Sequence, residues 1–256
     1  MVGPIKLVSG WSNPGGSTEH HIKLTNLLNA NGYDCTFYGP HPWHMNKCKG
    51  ALLNDCKITV HDTVISHFLM VNTRNLKKHI LSCHESNLFP LKDLPLEGYD
   101  VIQFVSQRQK EYHSINHPNV IIPPIVDRII WKAPETKTAG VIGSIDSHKQ
   151  THLSVQKALD DGYKRVRLYG IISDLQYFNQ FIEPLLKYNV TLENHCNDKT
   201  IMYNTLDAVY HNSKYETYGL VEAECKLAGI PYIGTEYAPQ VISTEEILER
   251  WKKILE

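Results

Sequence analysis

Residues 213–235 read SKYETYGLVEAECKLAGIPYIGT, and this stretch decides the fold. An apolar-periodic run follows Gly219, and Gly229 with Pro231 closes it, so the pattern predicts a helix between two glycines. The residues 232–234 that come next predict a strand. At the start of the helix, free amide groups and the positive end of the helix dipole would form an anion site suited to a phosphate.

Two carboxylates flank the first glycine, since Glu216 and Glu224 lie eight positions apart. Glu224 shares one helical face with apolar residues. The apolar members of this face are Leu220, Ala223 and Leu227. A buried carboxylate needs a partner, which a hydroxyl-rich ligand such as a ribose would provide, and Glu216 in the loop would accept from further hydroxyls. The alternative is a surface helix with solvated glutamates, and Glu222 is a second candidate for the helical acid.

Length and composition limit the class of protein. A chain of 256 residues with 42% hydrophobic content forms one large or two small domains with a hydrophobic core. The net charge of −1 gives no overall attraction to nucleic acid or to anionic lipid. Nothing resembles a signal peptide, and no apolar run approaches the roughly 18 residues needed to cross a bilayer. We therefore expect a soluble, cytoplasmic protein.

The six cysteines indicate reduced thiols, because their spacing at positions 35, 48, 56, 83, 196 and 225 fits no disulfide framework. His41, His44, Cys48 and Cys56 are the group most suggestive of a zinc site. Their spacing fits no standard zinc pairing, and the residues between them are typical of a loop. We therefore predict no bound metal and no cofactor.

The first half of the chain alternates predicted strands with helices. Residues 4–10 predict a strand that enters a turn with Gly15 and Gly16, and an apolar-faced helix follows until Gly32. Such a glycine pair lets a phosphate or a sugar approach the backbone. Further strands are predicted over 35–38, 57–61, 79–85 and 100–106.

The second half repeats this alternation. Strands are predicted over 139–144, 165–170, 190–192, 208–210 and 232–234. Helices are predicted over 152–159, 175–187, 200–206 and 222–228. A last helix starts with a capping box from Ser243 to Glu246. The alternation predicts an α/β fold with parallel sheets and helices on both faces, built twice.

Two adjacent prolines, Pro123 and Pro124, indicate the domain boundary, because they stiffen a linker and stop both helix and sheet. We place that boundary near residue 127. The predicted domains are an N-terminal domain over 1–127, a C-terminal domain over 128–240, and a terminal helix over 241–256 that packs back across both.

Several motifs together resemble the donor-binding signature of retaining nucleotide-sugar glycosyltransferases of family 4, with their Glu-x7-Glu pair. They are Leu206-Asp207-Ala208-Val209-Tyr210, Ser213, Glu216, Tyr218-Gly219, Glu224 and Gly229-Ile230-Pro231. The glycine pair at 15–16 and the stretch 119–127 resemble the N-terminal loop and the interdomain crossover of the same family. The resemblance implies the GT-B architecture, two Rossmann-like domains with an interdomain cleft. The short chain is similar to compact versions carried by viruses and phages, which would place it in the host cytoplasm.

The resemblance also implies a role for each matching residue. Glu224 would bind the nucleotide ribose, Glu216 the hydroxyls of the transferred sugar, and Lys149 the diphosphate. His84 would face the sugar, although a histidine at a strand end is also typical of a structural hydrogen bond. The implied donor-binding set is Gly15, Gly16, Gly143, Ser144, Lys149, Glu216, Tyr218, Gly219, Leu220 and Glu224. The implied catalytic residues are His84, Glu216 and Lys149.

The chain departs from the family at Ser144, where the family usually has an arginine. A guanidinium holds phosphate oxygens through two parallel hydrogen bonds, whereas serine offers one hydroxyl. Either charged His148 or another basic side chain compensates, or the diphosphate is held less well. Ser144 is the feature that favours a non-catalytic nucleotide-sugar binder.

The resemblance implies transfer of a hexose or pentose from a nucleotide diphosphate sugar to an acceptor hydroxyl, with retention and without an obligatory metal. A sugar-nucleotide epimerase and a non-catalytic binder are the alternatives. The acceptor would bind the first domain, which contains ten of the fourteen histidines. A glycan or a small molecule is favoured as acceptor, and a hydroxylated base of phage DNA is the nucleic-acid alternative. No basic amphipathic helix indicates a membrane partner.

Overall fold

The computed structural model describes residues 3–67, 76–85, 91–187, 189–237 and 239–256 of the chain. The chain forms two compact units, the first made of Met1–Ile125 with Gln240–Glu256 and the second of Val126–Pro239. Within the described residues, the first unit has a parallel sheet of seven strands and the second a parallel sheet of five. The predicted α/β fold with two parallel sheets is confirmed.

The core of the first unit is formed by apolar residues from neighbouring strands of its sheet. Its strands are β1 (Ile5–Ser9), β2 (Cys35–Gly39), β3 (Gly50–Leu52), β4 (Thr63–His67), β5 (Lys78–Cys83), β6 (Val101–Phe104) and β7 (Asn119–Ile121). They lie in the order β3-β2-β1-β4-β5-β6-β7. Leu7, Phe37, Ile65 and Ile80, from four neighbouring strands, have no exposed surface. These four residues are paired in register, so they form one apolar row across a single face of the sheet.

The helices of the first unit begin and end where local chemistry predicts. Helix α1 (Gly16–Ala30) follows β1, and Gly32 after it has a φ of 84°, a left-handed conformation that favours glycine. Helix α2 (Gln107–His113) follows β6, and the Ser106 hydroxyl caps it by accepting a hydrogen bond from the Gln109 amide at 3.1 Å.

The strand predicted over 57–61 is wrong, because β4 begins later, at Thr63. The Asp62 carboxylate accepts hydrogen bonds from the amide of Thr59, at 2.6 Å, and from its hydroxyl, at 3.0 Å. These bonds hold residues 59–62 in a turn, since a side-chain acceptor competes with the hydrogen bonds of a sheet. The apolar residues before the turn therefore lie outside the sheet.

The second unit repeats the layered arrangement. Its strands are β8 (Thr138–Ile142), β9 (Arg165–Tyr169), β10 (Val190–Asn194), β11 (Ala208–His211) and β12 (Tyr232–Gly234), in the order β10-β9-β8-β11-β12. The α-helices between them are α3 (Thr151–Asp160), α4 (Leu175–Tyr177), α5 (Lys199–Tyr203) and α6 (Leu220–Ala228). Because β8 and β11 are neighbours, the loops that follow them meet at the carboxyl edge of the sheet.

The single helix predicted over 175–187 is wrong, because α4 is followed by a π-helical turn at Phe178–Ile182 and a 3₁₀ turn at Glu183–Leu185. Pro184 explains the change. It has no amide hydrogen to donate to the carbonyl of Gln180, and its ring would clash there in a continuous α-helix.

Helix α6 has the two predicted glycine ends. Gly219 before it has a φ of 88° and Gly229 after it a φ of 74°. The last helix, α7 (Thr244–Leu255), is capped by the Ser243 hydroxyl, which accepts a hydrogen bond from the Glu246 amide at 3.1 Å. Its apolar face packs in the core of the first unit through Ile247, Leu248, Trp251 and Leu255.

Candidate functional site

The candidate site lies in the second unit, where loop 143–150 follows β8 and loop 212–219 follows β11. Two of the hydrogen bonds that join these loops involve His148. The Lys214 amide donates to the His148 carbonyl at 3.0 Å, and His148 Nε2 lies 2.8 Å from the Tyr215 carbonyl. Residues 67 positions apart in sequence therefore form one surface at the edge where parallel sheets bind ligands.

Lys149 and Glu216, two of the predicted site residues, form an ion pair across these loops. Lys149 Nζ is bonded to Glu216 Oε1, and the two side chains are 22% and 15% exposed. Gly143 lies beside them, since a Cβ atom added there would be 3.8 Å from the Lys149 side chain. The fold thus brings together Gly143, Lys149 and Glu216, three of the residues predicted from the sequence.

Asp146 organises the loop after β8. Its carboxylate accepts hydrogen bonds from the amides of His148 and Lys149, at 3.0 and 2.8 Å, and from the Ser144 hydroxyl at 2.6 Å. Burial would raise the pKa of Asp146, but hydrogen bonds from the Ser144 hydroxyl, the Lys149 amide and the Ser173 hydroxyl, together with the Lys149 charge, hold it below its usual value. Ser144 is thus bonded within its own loop, and it supplies no positive charge in place of the family arginine.

His211, the last residue of β11, is a site residue that the sequence analysis missed. Its Nε2 lies 3.3 Å from Glu216 Oε1 and its Nδ1 lies 3.1 Å from the Tyr232 hydroxyl. The side chain is 5% exposed. A histidine at the carboxyl end of a strand beside the Glu-x7-Glu motif was the available signal, but the strand was predicted to end at Tyr210.

The pKa of Glu216 reflects its two basic neighbours. Burial alone would raise this pKa, yet the positive charge of Lys149, the nearby His211 and a hydrogen bond from Lys149 hold it below its usual value. Glu216 is therefore an anion at neutral pH. An anionic carboxylate is a strong acceptor for the hydroxyl groups of a ligand.

The chain enters helix α6 through the glycine turn that the sequence predicted, and the anion site there stays a prediction. Gly219 has left-handed backbone angles, φ 88° and ψ 56°, so the chain turns sharply into Leu220 at the helix N-terminus. The Glu222 carboxylate lies at the same end and accepts a hydrogen bond from the Tyr237 amide at 2.7 Å. Tyr218 is buried, and its burial raises the pKa of its hydroxyl.

Glu224 is buried on α6 as predicted, but its partners lie within the chain. Its side chain is 3% exposed. Oε2 accepts a hydrogen bond from the Tyr203 hydroxyl at 2.7 Å, and Oε1 is paired with Lys199. Lys199 also pairs with Asp127, at 2.9 Å. The binding of a ribose by Glu224 stays a prediction. The ribose would have to share a carboxylate that already has two partners.

In the first unit, Gly15 and Gly16 lie at the start of α1. Gly15 has a φ of 169° and a ψ of 168°, an extended backbone that any residue adopts, so no conformational strain requires a glycine there. Gly16 is the first residue of the helix. Their predicted contact with a donor stays a prediction.

His84 lies in a cluster of four imidazole rings at the carboxyl edge of the first sheet. Its ring centroid is 4.6 Å from that of His20, 4.9 Å from His21 and 5.3 Å from His67. His84 Nε2 is 3.2 Å from the Ser82 hydroxyl, and His67 is bonded to Ser9 and Glu85. His84 is therefore part of a packed polar cluster, and its predicted role toward a sugar stays a prediction.

Burial is costly for three of the rings in this cluster, and His20 and His21 also lack hydrogen bonds among the described residues. Both are at most 2% exposed, and their ring nitrogens have no hydrogen-bond partner within the described part of the chain. Burial lowers the pKa of His20 to about 3, with the positive charge of Lys23 and nearby His67 acting in the same direction. Burial also lowers the pKa values of His21 and His84. These rings are neutral at pH 7.

In the group most suggestive of a zinc site, the His44 ring contacts backbone carbonyls. His44 Nδ1 lies 2.8 Å from the His41 carbonyl, and its Nε2 lies 3.1 Å from the Phe37 carbonyl. All six cysteines are free thiols. Among the residues that the structure describes, no group of three or more His, Cys, Asp or Glu side chains is placed to hold a metal ion. Within the same ranges, no helix is long and apolar enough to cross a membrane.

The two parallel-sheet units and the loop site at the carboxyl edge of the second sheet define a class of fold. It is the GT-B fold of glycosyltransferases. The expectation from the sequence is confirmed at that level, while membership of family 4 stays a prediction.

Three solved structures illustrate the similarity. HepE of Anabaena, in complex with UDP and glucose, aligns over 91% of this chain and 80% of its own, with a TM-score of 0.69 and 12% identity. WaaG, a glycosyltransferase involved in lipopolysaccharide biosynthesis, aligns over 98% and 90%, with a TM-score of 0.61 and 13% identity. An α-glucosyltransferase, in complex with UDP and a 13-mer DNA with a central A:G mismatch, aligns over 99% and 90%, with a TM-score of 0.56 and 15% identity. No protein-family model and no curated protein matches the chain.

Proposed function

We propose that this chain is a retaining glycosyltransferase that moves a sugar from a nucleotide diphosphate sugar to an acceptor hydroxyl. The observation that carries the proposal is the Lys149–Glu216 ion pair at the carboxyl edge of the second sheet. A cation and a sugar-binding carboxylate are the two groups that a nucleotide diphosphate sugar needs. The loop that holds Glu216 also leads into the N-terminus of α6.

Each group has a task in this reaction. The leaving diphosphate gains negative charge as the sugar bond breaks, and Lys149 together with the amides of Gly219 and Leu220 would stabilise that charge. Glu216 would hold the hydroxyls of the transferred sugar. Retention follows from the family resemblance, in which the departing phosphate helps to take the acceptor's proton on the same face. We propose no metal or cofactor in this step.

The similar structures support the choice of donor and leave a range of acceptors. HepE and the α-glucosyltransferase were both solved with UDP, so UDP is the first nucleotide to test. We propose a glycan or a small molecule as acceptor, bound by the first unit, with DNA as the nucleic-acid alternative because the α-glucosyltransferase was solved with DNA. We further propose that the protein is cytoplasmic and of the compact viral type.

A thermal-shift panel with UDP, GDP, ADP, TDP and CMP, with and without magnesium, tests the donor site. A ligand that binds only the folded state at about one hundred times its dissociation constant adds about 2.7 kcal/mol of stability. We expect one nucleotide to raise the melting temperature, equally with and without magnesium. No shift with any nucleotide would contradict the proposal.

Transfer is then measured as release of nucleoside diphosphate from the matching nucleotide sugar, with and without candidate acceptors. We expect release that depends on the acceptor, and we expect Lys149→Met to lower the rate far more than the affinity for the nucleotide. Lys157→Met is the matched control, because Lys157 forms an ion pair with Asp161 on the surface of the same unit. Binding without release would identify a binder, and product formed without acceptor would identify an epimerase.

A further inference from the structure

The Glu216 carboxylate has two basic neighbours on one oxygen atom. Oε1 is bonded to Lys149 Nζ and lies 3.3 Å from His211 Nε2. The Glu216 side chain is 15% exposed, so its charge lies largely out of water. A charge in that position is costly unless it keeps a partner.

A bound donor would give Lys149 a second negative group to neutralise, in addition to Glu216. Its single ammonium group cannot fully neutralise a diphosphate and a buried carboxylate at once. As Lys149 turns toward the diphosphate, His211 is the basic side chain that stays in contact with Oε1 among the described residues. A neutral imidazole would give Glu216 a hydrogen bond but no compensating charge.

The hydrogen bonds around His211 suit the charged form of its ring. Its Nδ1 lies 3.1 Å from the Tyr232 hydroxyl, which in turn donates to the Thr235 carbonyl at 3.1 Å. With both ring nitrogens protonated, Nε2–H donates to Glu216, Nδ1–H donates to the Tyr232 oxygen, and the tyrosine proton stays on Thr235. In the neutral ring that donates to Glu216, Nδ1 competes with Thr235 for the one tyrosine proton.

The charges around His211 in the unliganded protein oppose that form. Burial lowers the pKa of His211 in the first place, and positive charge on two neighbours lowers it further, while two carboxylates raise it. The neighbours that lower it are Lys149 and His148, and the carboxylates that raise it are Glu216 and Glu222. Moving Lys149 away and adding a diphosphate both change this balance in favour of the proton.

We propose, on the basis of the proposed function, that His211 takes up one proton from solvent when a nucleotide sugar binds and replaces Lys149 as the charged partner of Glu216. His211 is then a positioning residue. It holds the Glu216 carboxylate in place for the sugar hydroxyls while Lys149 neutralises the charge of the diphosphate. No covalent bond changes in this step, and the added proton is the only change in composition besides the ligand.

Isothermal titration calorimetry with UDP-glucose and the full chain tests this proposal. The phosphates of UDP-glucose do not titrate near pH 7, so protons exchanged on binding come from the protein. Measurements in two buffers of different ionisation enthalpy give the number of protons. We expect net uptake by the wild type, with an affinity that increases as the pH falls from 8.5 to 6.5, by at most about tenfold per pH unit for one proton.

His211→Gln separates hydrogen bonding from titration, because its amide donates to Glu216 but takes up no proton. We expect this variant to bind UDP-glucose at pH 8.5 and to lose both the proton uptake and the increase in affinity at lower pH. His152→Gln is the matched control, since His152 lies in the same unit and is bonded to Tyr177 at 2.6 Å. It should keep the proton uptake of the wild type.

The possible outcomes separate this inference from the function on which it rests. Failure of the wild type to bind UDP-glucose at every pH overturns both. Binding without proton uptake, or equal uptake by the wild type and His211→Gln, overturns the role of His211 and leaves the donor site intact. If His211→Gln does not fold, Tyr232→Phe removes the acceptor of Nδ1–H, and undiminished uptake in that variant overturns the inference.

Discussion

The buried histidine cluster of the first unit predicts loss of stability in mild acid. His20 is 2% exposed, and burial lowers its pKa from 6.5 to about 3, with Lys23 and His67 acting in the same direction. The folded chain therefore binds fewer protons at His20 than the unfolded chain once the pH falls below 6.5. The stability of the unit is unaffected by His20 above that pH and decreases as the pH falls toward 3.

The magnitude follows from the same shift. A group that is protonated in the unfolded chain and neutral in the folded chain costs about 1.4 kcal/mol per pH unit. Between pH 7 and pH 5, His20 alone should lower the free energy of unfolding by about 2 kcal/mol. His21 and His84, whose pKa values are also lowered by burial, act in the same direction. Such a loss is a large part of the roughly 5–15 kcal/mol typical of a domain.

Urea unfolding at pH 7 and pH 5, followed by tryptophan fluorescence, measures this loss. Trp131 is the tryptophan of the second unit, so a Trp131→Phe background restricts the signal to the first unit. We compare that background with His20→Leu, which removes the titrating ring and its two nitrogens, neither of which has a hydrogen-bond partner among the described residues. At pH 7 the substitution should leave stability unchanged or raise it, since an apolar group replaces an unsatisfied polar one.

The decisive quantity is the difference between the two pH values. In His20→Leu, the loss from pH 7 to pH 5 should be smaller by about 2 kcal/mol than in the background. His61→Leu is the control, because it removes an exposed histidine from the same unit. An equal loss in His20→Leu and the background would refute the reasoning, because His20 would then be as easily protonated in the folded chain as in the unfolded one.

Three further predictions concern the second unit. Gly219→Ala and Gly229→Ala should each destabilise it by about 1 kcal/mol in thermal unfolding, because both positions have left-handed backbone angles. Of the two, only Gly219→Ala should weaken nucleotide binding. Equal binding by the two variants would argue against the anion site. Glu224→Ala should lower the free energy of urea unfolding by about 1–3 kcal/mol, because it leaves the buried Tyr203 hydroxyl without its acceptor, while Lys199 keeps Asp127 as a partner. No measurable loss would show that the Tyr203 hydroxyl reaches water or another acceptor. Lys149→Met should destabilise the unit, and adding Glu216→Gln should restore part of the lost stability, because the unpaired carboxylate charge is removed. Additive effects in this double-mutant cycle would mean that the ion pair contributes nothing to stability.

The sequence was most informative where structure depends on nearby residues. The ends of α6 followed from Gly219 and Gly229, and the cap of α7 from Ser243, because these residues act on backbone groups one to four positions away. The proximity of Lys149 and Glu216 could also be predicted, because a parallel sheet brings the carboxyl ends of its strands to one edge.

The sequence was least informative where a distant or unexpected partner decides the outcome. The turn that Asp62 forms with Thr59 excluded an apolar stretch from the sheet, and strand propensity carries no information about that competition. Lys199 and Tyr203, which are the partners of Glu224, lie 25 and 21 positions before it in the sequence. A burial pattern therefore predicts the buried acid but not the residues that compensate its charge. His211 lies outside the motif and gains its importance only from contact with Glu216.

The position of α7 in the core of the first unit has a consequence for how the chain folds as it is synthesised. The first unit needs residues from both ends of the sequence, including the fully buried Trp251, whereas the second unit is one continuous segment, Val126–Pro239. A ribosome releases the chain from its N-terminus onward. The second unit can therefore fold while the first still lacks α7, and the apolar core of the first unit is completed only after Thr244–Leu255 has been synthesised.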